Sequence, residues 1–222
     1  LALPASSIIN AMIFIAFPLV WTLEHLTRLI SARSNQVSVS REDISAMVSV
    51  ATEEEVIEKD EKKMIQNLLK LDELTAHEIM TPSAVVEMAE CGMSIREFYD
   101  SDLSHSRIPV YDEENDEYVI GYVLRQEILE KMAEDKFSTK LIDITRPIMS
   151  FTEETSVSDI WEKMLEKKEH ISVILDEYGS LRGIVTLEDV IETMLGHEIV
   201  DEKDEVVDMQ EYAKEQWKKA QE

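Results

Sequence analysis

The 222-residue chain contains one cysteine, Cys91, which excludes an intramolecular disulfide and a cysteine-based zinc cluster and fits a reducing compartment. It is also short of positive charge. Lys and Arg number 22 against 47 Asp and Glu, a formal charge of -25, so a phosphate backbone would be repelled and nucleic acid is excluded as a partner. Five glycines and five prolines are too few for a flexible linker, a low-complexity segment or a collagen-like chain. Catalytic signatures are missing as well. There is no G-x-x-x-x-G-K-[ST] phosphate loop, and His25, His77, His105, His170 and His197 are dispersed along the chain, not grouped as metal ligands. His105 and His170 lie beside strand-forming runs and could approach a cleft, although a satisfied structural histidine is the plainer role. The sequence predicts binding, not catalysis.

Charge is absent altogether from residues 2 to 23, ALPASSIINAMIFIAFPLVWTL, a run about 33 Å long as a helix and so able to cross a bilayer core. It predicts a transmembrane helix. The carbonyl released by Pro18, together with Ser6, Ser7 and Asn10, would face neighbouring helices, and Trp21 falls at the interfacial end. Arg28, Arg33 and Arg41 follow, which places the downstream chain in the cytoplasm. A signal peptide would need a basic leader that is not there, and without an initiator Met the chain reads as part of a longer membrane protein. A buried core helix of a soluble protein is the remaining alternative.

Between residues 42 and 78 stand eleven acids and four lysines, in short amphipathic helices with apolar faces at Ile44, Met47, Val48 and Ala51 and at Met64, Leu68 and Leu71. Ser40 with Asp43, Thr52 with Glu55 and Thr75 with Glu78 have capping-box spacing. The block predicts a connector between membrane and cytosolic parts. Its acids are a solvated face or, alternatively, hold Mg2+ between apposed helices.

From Glu78 the chain repeats itself. Met80-Thr81-Pro82 recurs as Thr145-Arg146-Pro147, Arg107 to Asp112 as Ile171 to Asp176, and Gly121-Tyr122-Val123 as Gly183-Ile184-Val185. The offset shrinks along the copy, which predicts a longer hairpin loop in the first copy (Glu113 to Glu117) than in the second (Glu177 to Arg182). Each copy reads as a short strand, a helix, a two-stranded hairpin and a final helix. Ser94 with Glu97 and Ser156 with Asp159 cap the inner helices, and Gly179 supplies a positive φ in the second hairpin.

The stretch Gly183-Ile184-Val185-Thr186-Leu187-Glu188-Asp189 is a strand end turning directly into a helix that stops at Gly196. Such a junction offers backbone donors to an anion or sugar, with the Thr186 hydroxyl and Asp189 carboxylate on the first turn. The same two residues also have the spacing of a capping box.

The duplicated pattern resembles a pair of CBS domains. A membrane run containing FPLVW, an acidic connector leading into EIMTP, then SRIPVYD and VILDEYGSLRGIVTLEDVIETMLG together resemble the CorC/CNNM family of magnesium transport proteins. The resemblance implies an α+β tandem CBS pair behind a transmembrane helix, with boundaries at 1–40 (end of the membrane domain), 41–76 (acidic connector), 77–140 and 141–200 (the CBS domains) and 201–222 (acidic tail). It implies a homodimer in the cell membrane, with the CBS pair in the cytoplasm binding ATP together with Mg2+. Carried residue by residue, the nucleotide-binding positions are Thr81, Arg107, Ile108, Pro109, Ile184, Thr186 and Asp189. A carboxylate and a threonine hydroxyl suit the ribose hydroxyls, and Arg107 suits phosphate. Thr81 is alternatively a turn residue, and Arg107 an exposed strand residue paired with an acid. The first copy has Leu124 and Glu127 where the second has Thr186 and Asp189, so one nucleotide per chain is expected. A ligand-free dimerisation module is the rival reading, and an enzyme acting on nucleotides has little support.

Overall fold

The computed structural model describes residues 14, 16–18, 20–22, 24, 39–101, 103–197 and 209–219, in two compact units divided after Met47. In the first unit the described residues of the N-terminal run are helical, with Phe14, Phe17, Val20 and Trp21 exposed and the Thr22 hydroxyl donating to the Pro18 carbonyl at 2.9 Å. No helix among the described residues is long and apolar enough to cross a membrane. Most of the run 2–23, where a transmembrane helix was expected, lies outside the described residues, as do Arg28 and Arg33.

Helix α1 (Arg41–Glu53) begins as its spacing predicts: the Ser40 amide donates to Asp43 and the Asp43 amide to the Ser40 hydroxyl, at 3.0 and 3.2 Å. The second expected box does not form. Thr52 lies inside the helix with its hydroxyl bonded back to the Val48 carbonyl at 2.8 Å, the usual use of a mid-helix threonine, and Glu55 at φ 60° closes the turn beyond. Helix α2 (Lys59–Lys70) starts instead at Glu58, whose amide donates to Glu61 at 2.8 Å. Thr75 and Glu78 do form the third box, at the head of α3 (Ala76–Ile79).

The first repeat then contributes β1 (Thr81–Pro82), β2 (Ala89–Glu90), α4 (Ile95–Tyr99), β3 (Arg107–Asp112), β4 (Asn115–Leu124) and α5 (Arg125–Ala133). The second contributes β5 (Met149–Thr152), α6 (Val157–Lys167), β6 (Ile171–Leu175), β7 (Leu181–Thr186) and α7 (Leu187–Leu195), and α8 (Met209–Lys219) lies in the tail. In both copies a parallel pair (β2–β3, β5–β6) is followed by an antiparallel hairpin (β3–β4, β6–β7). The first hairpin corrects the sequence expectation. Its turn is only Glu113 and Glu114, and the extra residues instead lengthen β4, where the register with β3 shifts twice, at Val110/Tyr111 and at Tyr111/Asp112.

Each repeat has its own core: Ile95, Phe98, Ile108, Val110, Val123 and Ile128 in the first, and Val157, Ile160, Met164, Ile174, Val185 and Val190 in the second. The opening strands, however, are exchanged between copies. β1 leaves its own repeat and pairs antiparallel with β7, Thr81 opposite Ile184 and Pro82 opposite Gly183. Reciprocally, Arg146 at the start of the second copy exchanges two 2.9 Å backbone hydrogen bonds with Tyr122 of β4. Both crossings need glycine. A Cβ on Gly183 would lie 2.3 Å from the Thr81 carbonyl oxygen, and one on Gly121 2.2 Å from that of Arg146.

Candidate functional site

Strand β7 ends at Thr186, the N-cap of α7. The Thr186 amide and hydroxyl donate to Asp189 Oδ2 at 2.6 and 2.8 Å, and the Asp189 amide donates to the Thr186 hydroxyl at 3.2 Å. The capping box therefore exists. It also fixes a carboxylate and a hydroxyl side by side at the positive end of a nine-residue helix. Thr81 is delivered to this junction by the β1–β7 pairing, one register step from Gly183 and two strand positions from Thr186.

Strand alternation sorts the remaining candidates. Val185 faces the core of the second repeat, so Ile184 and Thr186 project from the opposite face of β7; Ile108 and Val110 face the core of the first repeat, so Arg107 and Pro109 project from the opposite face of β3. Those opposite faces are only partly open to water. Pro109, Tyr122, Ile171 and Val173 are buried on them, and β4 runs beside β7, so the faces turned from each core pack on one another. Thr81, Ile184, Thr186 and Asp189 thus form one group, with Arg107 and Pro109 on the facing sheet. Ile108 is different. Its side chain is completely buried in the core of the first repeat, which leaves only its backbone for any ligand.

The far end of α7 is held by the connector. Gly196 ends the helix in the left-handed region at φ 69°; its carbonyl accepts from Lys63 Nζ of α2 at 2.5 Å, and the Met194 carbonyl accepts from Asn67 Nδ2 at 3.3 Å. The tail helix α8 reaches the other side of the junction, where Gln210 Nε2 donates to the carbonyls of Glu78 and Met80, at 2.8 and 3.3 Å, just ahead of Thr81. Neither contact was legible in the sequence, since both join segments roughly 130 residues apart. His105 contacts Glu87 at 3.5 Å and His77 contacts Glu153 at 3.0 Å, both histidines lying exposed at the surface. Among the described residues, no group of three or more His, Cys, Asp or Glu side chains could hold a metal ion.

Sequence reasoning also passed over Tyr122 and Arg146. The Tyr122 hydroxyl donates to Glu169 of the second repeat at 2.9 Å, and the Arg146 guanidinium pairs with Glu127 at 3.0 Å. The signal available was the repeat itself, which aligns Arg146 with Thr81 and Glu127 with Asp189. Burial, reinforced by the Glu169 carboxylate, pushes the Tyr122 hydroxyl above its ordinary value of 10.0 against the opposing pull of Arg146 and Arg107. A tyrosine raised in the folded state gives stability that is complete below about pH 10 and lost as pH rises through the raised value. Melting temperatures measured from pH 8 to 11 are expected to fall steeply for the wild type above about pH 10, and less steeply for Tyr122→Phe, which costs about 1 kcal/mol at neutral pH through the lost hydrogen bond.

Comparison with known proteins places the chain by family and fold. The CBS domain model matches residues 76–134 and 141–196, and the Cyclin M transmembrane N-terminal domain model matches residues 1–61. A UPF0053 protein of Synechocystis is 34% identical over 204 residues, which is 89% of this chain and 57% of that protein's length. The solved CBS domain of a bacterial CNNM/CorC family Mg2+ transporter superposes with a TM-score of 0.69 at 30% identity, covering 73% of this chain and 99% of that one. A CBS-domain structure of the same description, in complex with ATP, gives a TM-score of 0.59 at 28% identity over 62% of this chain and 98% of that one.

Proposed function

This chain belongs to the CNNM/CorC family and carries its CBS-domain pair, and we propose that the pair binds ATP with Mg2+ and couples nucleotide state to divalent-cation transport by a membrane domain. The observation that carries the reading is the strand exchange, which puts the M-T-P threonine of the first copy against the G-I-V-T-L-E-D junction of the second. The ribose hydroxyls lie at Thr186 and Asp189, Thr81 and Ile184 flank the nucleoside, and Arg107, with Pro109 and the backbone of Ile108, meets it from the facing sheet. In a chain of charge -25, naked ATP is repelled; Mg2+ carried on the phosphates offsets that repulsion, so it arrives with the nucleotide. The role is regulatory binding, not catalysis. In this reading residues 77–140 and 141–200 are the two binding repeats and 41–76 serves as the connector.

Coupling follows from the two ends of α7. Its N-terminus carries Thr186 and Asp189, and its C-terminus is seated on Lys63 and Asn67 of the connector, so a nucleotide that draws the facing sheets together shifts α7 against α2. The native assembly is a homodimer of the cell membrane, with the N-terminal run in the bilayer and the CBS pair in the cytoplasm. A thermal-shift titration of the full chain in detergent, with ATP, ADP and AMP each with and without Mg2+, tests the reading. Stabilisation is expected to be largest for ATP with Mg2+ and to reach about 2.7 kcal/mol at a hundred times Kd. Equal effects with and without Mg2+ would refute its part, and no shift with any nucleotide would favour a ligand-free dimerisation module.

A further inference from the structure

The repeat creates a second position related to the first by its pseudo-symmetry, and that position is filled by the chain itself. Arg146 aligns with Thr81, Leu124 with Thr186 and Glu127 with Asp189. The backbone equivalence is physical: Arg146 is bonded to Tyr122 of β4, as Thr81 and Pro82 are paired with β7, and a glycine permits the close crossing in each case. The side chains differ in what they satisfy. At the first position a threonine N-cap turns Asp189 inward on its own helix start. At the second, the N-cap of α5 is Leu124, which offers no side-chain hydrogen bond, and the carboxylate of Glu127 meets the Arg146 guanidinium at 3.0 Å. Across from them the Tyr122 hydroxyl closes on Glu169.

We propose that the Arg146–Glu127 pair seals this second position against nucleotide, standing where a ribose would otherwise lie, and that it holds the chain to one nucleotide. The proposal rests on the nucleotide reading above. Two features make the seal selective. The guanidinium takes up the carboxylate that would accept ribose hydroxyls, and the longer Glu side chain reaches further into the space than Asp would. The pair remains partly solvated, with side-chain exposures of 49% for Arg146 and 26% for Glu127, so it blocks by occupancy more than by strength.

The test is the stoichiometry of ATP binding in the presence of Mg2+, by calorimetry on the full chain in detergent. Wild type is expected to bind one nucleotide and Asp189→Ala none. The triple variant Leu124→Thr/Glu127→Asp/Arg146→Thr, which writes the pattern of the first position into the second, is expected to bind two, and to retain one when Asp189→Ala is added. A folded triple variant that still binds one overturns the proposal, as does a wild type that binds two. A wild type that binds none overturns the nucleotide reading and this proposal together. If the triple variant does not fold, Glu127→Asp/Arg146→Thr, which keeps the packing of Leu124, carries the same test: a second, weaker binding phase supports the seal, and its absence overturns it.

Discussion

Asp189→Ala is expected to abolish the stabilisation by ATP with Mg2+ while leaving the protein folded. In the resting state the variant loses the acceptor that holds the Thr186 amide and hydroxyl, a capping loss of about 1 kcal/mol. For a unit of this size that lowers Tm by about 2–4 °C. The expected loss in the liganded state is larger, because the proposed ribose acceptor goes as well and about 2.7 kcal/mol of ligand stabilisation at a hundred times Kd goes with it. Thr186→Val separates the two contributions. It removes the hydroxyl but keeps the carboxylate, so residual binding is expected with the Kd raised roughly tenfold, the worth of one hydrogen bond to a charged group. Thermal-shift titrations of the two variants beside wild type measure both quantities. Full nucleotide stabilisation in Asp189→Ala would confine this residue to capping and move the site elsewhere.

Gly183→Ala is expected to be strongly destabilising for a single added methyl. The added Cβ would sit 2.3 Å from the Thr81 carbonyl oxygen, a backbone atom that can move only if β1 lifts from β7. Overpacking of this kind costs about 3 kcal/mol, roughly 6–12 °C in Tm for a unit of this size. Nucleotide binding should fall with it, because Thr81 leaves the junction. The pseudo-symmetric variant Gly121→Ala makes an equally close contact, 2.2 Å from the Arg146 carbonyl oxygen. It should cost a similar amount of stability, yet spare nucleotide binding far more, since the damage falls on the half of the cleft proposed to be sealed. Equal losses of binding in the two variants would contradict the assignment of the site to the second repeat's junction.

Much of this arrangement was legible because it is written in short-range chemistry. The caps at Ser40, Thr75, Ser94, Ser156 and Thr186 depend on residues three apart, and all five bring their partners together. Thr52 shows the limit of the same rule: its spacing to Glu55 is right, but a hydroxyl already inside a helix has a nearer acceptor in the Val48 carbonyl. The hairpin of the first copy misled for a related reason. Extra residues between two aligned motifs read as loop, whereas irregular pairing in β4 absorbs them as strand. The strand exchange could not be read from periodicity, because two residues, Thr81 and Pro82, have no period and their partners lie in the other copy. The same holds for Lys63 and Asn67 at the end of α7, which are ordinary polar positions on a charged helix until the fold places a helix terminus against them.

The exchanged strand also sets a timetable. Thr81 and Ile184 are roughly a hundred residues apart, so a ribosome delivering about 5–20 residues per second releases β1 some 5–20 seconds before its partner exists. The first repeat need not wait: Arg146, which closes against Tyr122, follows its own hairpin within a few dozen residues. The growing chain therefore completes one half while the opening strand of that half hangs unpaired. Its brevity and Pro82, which has no amide hydrogen to donate, make it a poor template for a neighbouring chain during that interval. The segment that later brings Thr81 to the β7–α7 junction is also the one best suited to waiting.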